Sequence, residues 1–148
     1  SGNVDEAQTL ADALYESNLE LPDSYALKST IYRMSGNNKK AIEWAENGIK
    51  INSNNAELYR IKAMAYIAKG DYEEAKKAID TALENDKYSL LYMTAIVVEN
   101  ELDNDDRVKE LKDSMKEDNL EISEKTKKYL KGKISAKEMF TEGTGDVE

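Results

Sequence analysis

Apolar residues recur along this chain at intervals of three and four, and clusters of polar residues interrupt them at regular places. Those intervals put side chains on one face of an α-helix. Reading forward from Pro22, they predict a helix from about Asp23 to Ser35, with Tyr25, Ile31 and Tyr32 on its apolar side. Gly36 ends it, because glycine takes the left-handed turn conformation without steric cost, and Asn37 caps the next helix. That helix carries Ala41, Ile42, Ala45, Gly48 and Ile49, and the cluster Asn52-Ser53-Asn54-Asn55 closes the hairpin.

The same plan returns. Ala56 to Lys69 form a helix with Tyr59, Ile61, Ala63 and Tyr66, and Gly70 stops it. Asp71-Tyr72-Glu73-Glu74 reads as a capping box, whose loss should cost roughly 0.5–2 kcal/mol. Ala75, Ala78, Ile79, Ala82 and Leu83 follow at helical spacing. The third copy is degenerate. Its first helix, about Tyr88 to Leu102, is rich in apolar residues, and its second holds Val108, Leu111 and Met115. Asn104 stands where the next turn glycine is due, but Val108 aligns with Ala75 only after a one-residue deletion.

Gly2-Asn3, Gly36-Asn37 and Gly70-Asp71 are spaced by 34 residues, and Ala7, Ala41 and Ala75 keep that spacing. A fixed period of this length marks a stacked array of helical hairpins. The array divides as a half hairpin at 1–21, repeats at 22–55 and 56–87, a degenerate repeat at 88–118, C-terminal capping helices at 119–140 and a mobile tail at 141–148. The half hairpin leaves Val4, Leu10 and Leu14 facing nothing. It implies either a natural chain that continues upstream or an N-terminal helix that caps the stack. In the capping region, Ser123 to Lys131 reads as a helix surrounded by Lys125, Lys127, Lys128, Lys131 and Lys133, and Gly132 ends it. Ser135 and Glu138 are spaced to cap a last short helix near Phe140.

Composition narrows the chemistry. The 148 residues are 40% hydrophobic and 34% charged with a single proline, which suits uninterrupted amphipathic helices. With no cysteine and no histidine, thiolate and imidazole catalysis and ordinary zinc sites are excluded. The formal net charge of −9 argues against nucleic acid as a partner. Asp103-Asn104-Asp105-Asp106 lacks the sixth-position glycine and closing glutamate of a calcium loop, since those positions read Val108 and Ser114. Gly132-Lys133 lacks the rest of a phosphate loop. No catalytic residue, metal site or cofactor is expected. No apolar run is long enough to span a membrane, so this stretch is not expected to insert into one. The cytoplasm is the favoured compartment, with an upstream targeting or membrane segment left open.

The repeats resemble the tetratricopeptide repeat. Tyr25/Tyr59, Ser29/Ala63, Tyr32/Tyr66, Gly36/Gly70, Ala41/Ala75 and Gly48/Ala82 match its pattern in register. It departs at Lys62-Ala63, where the family has a Leu-Gly signature, and at Ser53 and Lys87, where it has a terminal proline. The resemblance implies an all-α, right-handed solenoid of antiparallel hairpins with a C-terminal capping helix. It also implies a concave face, lined by first helices, that binds an extended peptide or a helix. By family position that face carries Asp23, Ala26, Thr30, Arg33 and Met34, then Glu57, Arg60, Met64, Ile67 and Ala68, with Thr94, Val98 and Glu101 out of register. The Lys/Asn clamp of members that bind chaperone carboxylates is absent, since Ala26, Thr30 and Arg60 stand there. The expected contacts are Arg33, Met34, Arg60, Met64 and Ile67, with Met34, Met64 and Ile67 forming the apolar strip. Trp44 is expected in packing between repeats rather than as a ligand platform. The alternatives are an architectural or oligomerisation module of a longer, membrane-anchored or soluble protein, its groove filled by its own C-terminal segment, and self-association through the N-terminal half repeat.

Overall fold

The computed structural model describes residues 22–141 and, ahead of them, Asp5, Thr9, Asp12 and Ala13, all four helical. Among the described residues there are eight numbered helices and no strand. They are α1 (Pro22–Met34), α2 (Asn38–Ile51), α3 (Ala56–Lys69), α4 (Tyr72–Asn85), α5 (Ser89–Glu101), α6 (Asp105–Glu117), α7 (Glu124–Leu130) and α8 (Ala136–Met139). The expected half repeat lies mostly outside the described residues, and so does the expected tail apart from Thr141.

Consecutive helices pair as hairpins, α1 with α2, α3 with α4 and α5 with α6, and α2–α3 and α4–α5 contacts join the hairpins into a stack. The first helices α1, α3 and α5 lie side by side as an inner row. Alanines at Ala41, Ala63, Ala75 and Ala82 are fully buried where helices approach. Tyr25 and Tyr32 are buried, and Tyr59 and Tyr66 pack half-buried against the core. Trp44 packs on the cluster of Tyr32, Ala41, Ile42 and Ala65, so it does bridge one repeat to the next. It also stacks at 5.9 Å on Tyr25 and takes the Lys28 ammonium 3.9 Å over its ring, while Lys28 pairs with Asp12.

One turn design ends helix after helix. Gly36, Gly70 and Gly132 sit at φ +83°, +79° and +69°. At each, the next amide reaches back five residues: Asn37 to the Tyr32 carbonyl, Asp71 to Tyr66 and Lys133 to Lys128. These are Schellman stops, which satisfy the last carbonyls of a helix. In the third repeat the left-handed residue is Asp103 at φ +56°, not Asn104, and Asn104 bonds back to Glu99. The one-residue deletion therefore precedes the turn, and Asp replaces Gly there.

The caps divide in two. Asn37 and Asn55 accept from the amides of Lys40 and Leu58, Ser123 accepts from Thr126, and Ser135 with Glu138 forms a full capping box. Asp71 makes no side-chain cap, contrary to the sequence expectation. Its carboxylate lies 3.6 Å from Lys69, and Glu74 pairs with Lys77 instead of reaching back. Asn37→Ala should thus lose about 1 kcal/mol, whereas Asp71→Ala should stay within about 0.5 kcal/mol, because its exposed ion pair contributes little. Urea unfolding of both variants checks the contrast.

Candidate functional site

After α6, Asn119 at φ +56° turns the chain, and α7 packs on α5 while α8 packs on α3. The C-terminal hairpin therefore folds back over the inner row of helices. Met139 and Ala136 are buried in this contact, and Phe140 is half-buried. The Arg33 guanidinium donates through Nη1 to the Phe140 carbonyl at 2.8 Å, and Lys125 Nζ donates to the Thr141 carbonyl at 3.3 Å. Tyr129 anchors α7 to α5, with its hydroxyl 2.8 Å from Glu101, 3.0 Å from Asn100 Nδ2 and 3.2 Å from the Val97 carbonyl.

The expected contact residues divide under this cover. Arg33 and Met34 lie at the end of α1, and Arg60, Met64 and Ile67 lie along α3. Met64 and Ile67 are 5% and 2% exposed, so the expected apolar strip is not open: α8 and Phe140 lie across it. Met34 remains 46% exposed. Two cavities survive on either side of Phe140. One, of about 350 Å³, is lined by Arg33, Arg60, Met64, Leu90, Met93 and Thr126 among others. The other, of about 240 Å³, is lined by Arg33, Met34, Asn38, Met64, Ile67 and Lys137 among others. Leu90, 48% exposed, borders the first as Met34 borders the second.

Arg60 is held in a fork by Glu57, with Nε to Oε2 at 2.8 Å and Nη2 to Oε1 at 2.7 Å, and its Nη1 meets the Met64 sulfur at 3.4 Å. Tyr88 donates its hydroxyl to the same carboxylate at 2.6 Å. This i,i+3 fork within α3 fixes the guanidinium plane at the cavity wall. Burial is the largest influence on the Glu57 carboxyl and pushes its pKa up. Hydrogen bonds from Arg60 and Tyr88, with the charges of Arg60 and Arg33, outweigh it and hold the pKa below the ordinary 4.5. Burial, and then the bond to Glu57, push the Tyr88 phenol above its ordinary range.

A carboxyl with a lowered folded pKa binds fewer protons folded than unfolded. Its contribution is therefore present above pH about 4.5 and lost as pH falls through the folded value. Melting temperature should accordingly fall more steeply below about pH 4.5 in the natural sequence than in Glu57→Gln. A set of thermal melts across that range reads the difference.

Family position anticipated Glu57 at this face, but not the contribution of Tyr88, Leu90, Lys125 or Phe140. Tyr88 stands at the residue before α5, ahead of the inner-face positions, and Phe140 follows α8, outside the repeats. The larger opening of about 620 Å³ lies elsewhere, between α4 and α6. Of its charges, Asp80 pairs with Lys76 and Arg107 with Glu110, each along its own helix. The lysines of the C-terminal hairpin, Lys125, Lys127, Lys128, Lys131 and Lys133, are exposed, with Lys127 paired to Glu124.

The family model described as anaphase-promoting complex, cyclosome, subunit 3 matches residues 1–82. Among solved structures, the TPR domain of Sgt2 from Aspergillus fumigatus is 16% identical over 72% of this chain and 83% of that one, with a TM-score of 0.55. The MamA protein is 14% identical over 90% of this chain and 78% of that one, with a TM-score of 0.62. At these identities the likeness is one of fold, an all-helical solenoid of tetratricopeptide type. No match is found among curated proteins.

Proposed function

We propose that this chain, which belongs to the family of anaphase-promoting complex, cyclosome, subunit 3, a tetratricopeptide-type repeat family, is a non-catalytic scaffold that binds a peptide or helical segment of a protein partner on its inner face. Families of this type are generally non-catalytic protein-interaction scaffolds, and protein is the partner class that follows. No helix among the described residues is long and apolar enough to cross a membrane.

One observation carries the reading: the two cavities beside Phe140 combine buried Met64 with exposed Met34 and Leu90 and with two arginines at the rim. Apolar surface left open next to oriented donors suits a ligand that buries side chains and presents main-chain or carboxylate oxygens. Arg33 and Arg60 supply orientation, the open Met34 and Leu90 supply apolar contact, and Met64 and Ile67, which lie under α8 and Phe140, form the wall behind them. A peptide-display selection on the whole chain tests this, run beside Met34→Glu/Leu90→Glu. Both positions are exposed, so the charges leave the fold intact. Motifs enriched on the natural chain and lost on the double variant support the reading, and equal enrichment on both removes it.

The seating of α7 and α8 on the same face favours a second, architectural reading, in which the groove is filled permanently from within. Absence of any enriched motif favours that one.

A further inference from the structure

The segment lying in the groove is itself a specimen of what the groove accepts. We propose that residues 136–141 are a built-in, displaceable ligand, and that partners displace them by presenting the same chemistry: an adjacent pair of apolar residues, the second aromatic, with a main-chain carbonyl for Arg33. This rests on the scaffold reading above and names its partner class.

Three observations support it. The first is how the tail is held. Met139 is buried, Phe140 sits between the two cavities, and the Phe140 and Thr141 carbonyls accept from Arg33 and Lys125. The single turn of α8 packs on α3, and the hold beyond it is that of a peptide: main-chain carbonyls bonded by side chains, with anchor side chains seated. The second is how lightly it is held. α8 is a single turn of four residues, started by the Ser135–Glu138 box, and so short a helix has no stability of its own. Its opening breaks two carbonyl bonds and exposes Ala136 and the Met139–Phe140 pair, while every helix pairing of the hairpin stack is kept, so it opens more readily than the stack does. The third is what the tail leaves unused. Met34 and Leu90 line one cavity each and stay about half exposed. A segment that keeps the apolar–aromatic pair and adds an apolar residue on each side buries both, which supplies the difference a competitor needs against a tethered occupant.

The test uses a labelled, amidated peptide of residues 134–141 and a control with both anchor residues changed to alanine. Binding is measured to the whole chain and to the whole chain carrying Met139→Ala/Phe140→Ala, with circular dichroism to establish that the variant folds. The native peptide should bind the released variant at least tenfold more tightly than it binds the natural chain, and the alanine control should bind neither. Adding Arg33→Ala to the released variant should weaken binding again. Equal affinity for both chains, or for both peptides, overturns the proposal. Hydrogen exchange on the unaltered chain keeps the question open to refutation if the variant does not fold. A display-selected binder should speed amide exchange at 136–141. Binders that lack the apolar–aromatic pair and leave that exchange unchanged overturn this proposal alone, whereas failure to find any binder removes the scaffold reading as well.

Discussion

Gly48→Ala should destabilise the protein, although alanine is the better helix former in the interior of α2. A Cβ at that position would stand 2.8 Å from the Cβ of Tyr25 and 2.8 Å from Cδ1 of Leu58. The leucine terminus can swing away. The tyrosine Cβ is fixed to its own backbone, so α1 must move off α2. Overpacking of this kind costs about 1–3 kcal/mol, and improved helix propensity returns only about 0.8–1 kcal/mol. Contacts this short place the cost in the upper half of that range, about 2–3 kcal/mol, so the expected net loss is about 1–2 kcal/mol for alanine and more than about 3 kcal/mol for leucine, whose further carbons have nowhere to go. Trp44 lies one turn earlier on the same helix and stacks on Tyr25, so its fluorescence during urea unfolding reports on this contact directly. A Gly48→Ala protein as stable as the natural one would mean that α1 and α2 are not in the close approach described here.

The second large effect lies at a buried carboxylate. Glu99 is 1% exposed, and its oxygens meet the Lys76 ammonium and, at 2.9 Å, the Asn104 amide. Lys76 also pairs with Asp80 at 3.0 Å and is about a third exposed. Removing one partner of a buried pair strands the other charge without solvent, typically at 3–5 kcal/mol. Because the lysine end is partly hydrated, about 2–4 kcal/mol is expected for Lys76→Met. Lys76→Met combined with Glu99→Leu should regain most of that loss, since an apolar pair of similar volume has no charge to solvate. A double-mutant cycle by urea unfolding measures both steps. A Lys76→Met loss under about 0.5 kcal/mol would mean that Asn104 and water satisfy Glu99 unaided.

The period was legible because it is written in small residues and turns. Ala41, Ala75, Gly36 and Gly70 have little freedom to change without breaking a close approach or a left-handed stop, so they mark the register in the sequence itself. Asp71 misled because a capping box is only a pattern of residue types. Lys69 lies 3.6 Å from its carboxylate and Lys77 engages Glu74, and an exposed terminus lets such partners compete with a cap. Glu99 left a faint trace: it follows Tyr92, Ala95 and Ile96 at helical spacing, a carboxylate on an apolar stripe, but Lys76 is on another helix. The covering of the inner face left a clearer one. Thr94 and Val98 occupy inner-face positions, yet α5 is buried on nearly every side. A helix apolar all round requires a second layer, and α7 supplies it. What could not be read was which residues that layer sets against Arg33, because Phe140 lies 107 positions away and outside the repeat.

That separation governs the order of assembly. Hairpin stacks form from neighbouring contacts and can nucleate at any repeat. The Arg33–Phe140 contact is not one between neighbours: it joins α1 to the residue after α8. Once the stack exists, the chain left to close runs from Asp118 through α7 and α8 to Phe140, with only the short stretches 118–123 and 131–135 outside helices and so little entropy to lose. The tail thus docks last, onto a finished surface. In vectorial synthesis the inner face is complete when α6 has formed and uncovered until residue 140 follows, so a growing chain passes through an interval in which its groove is open to all comers.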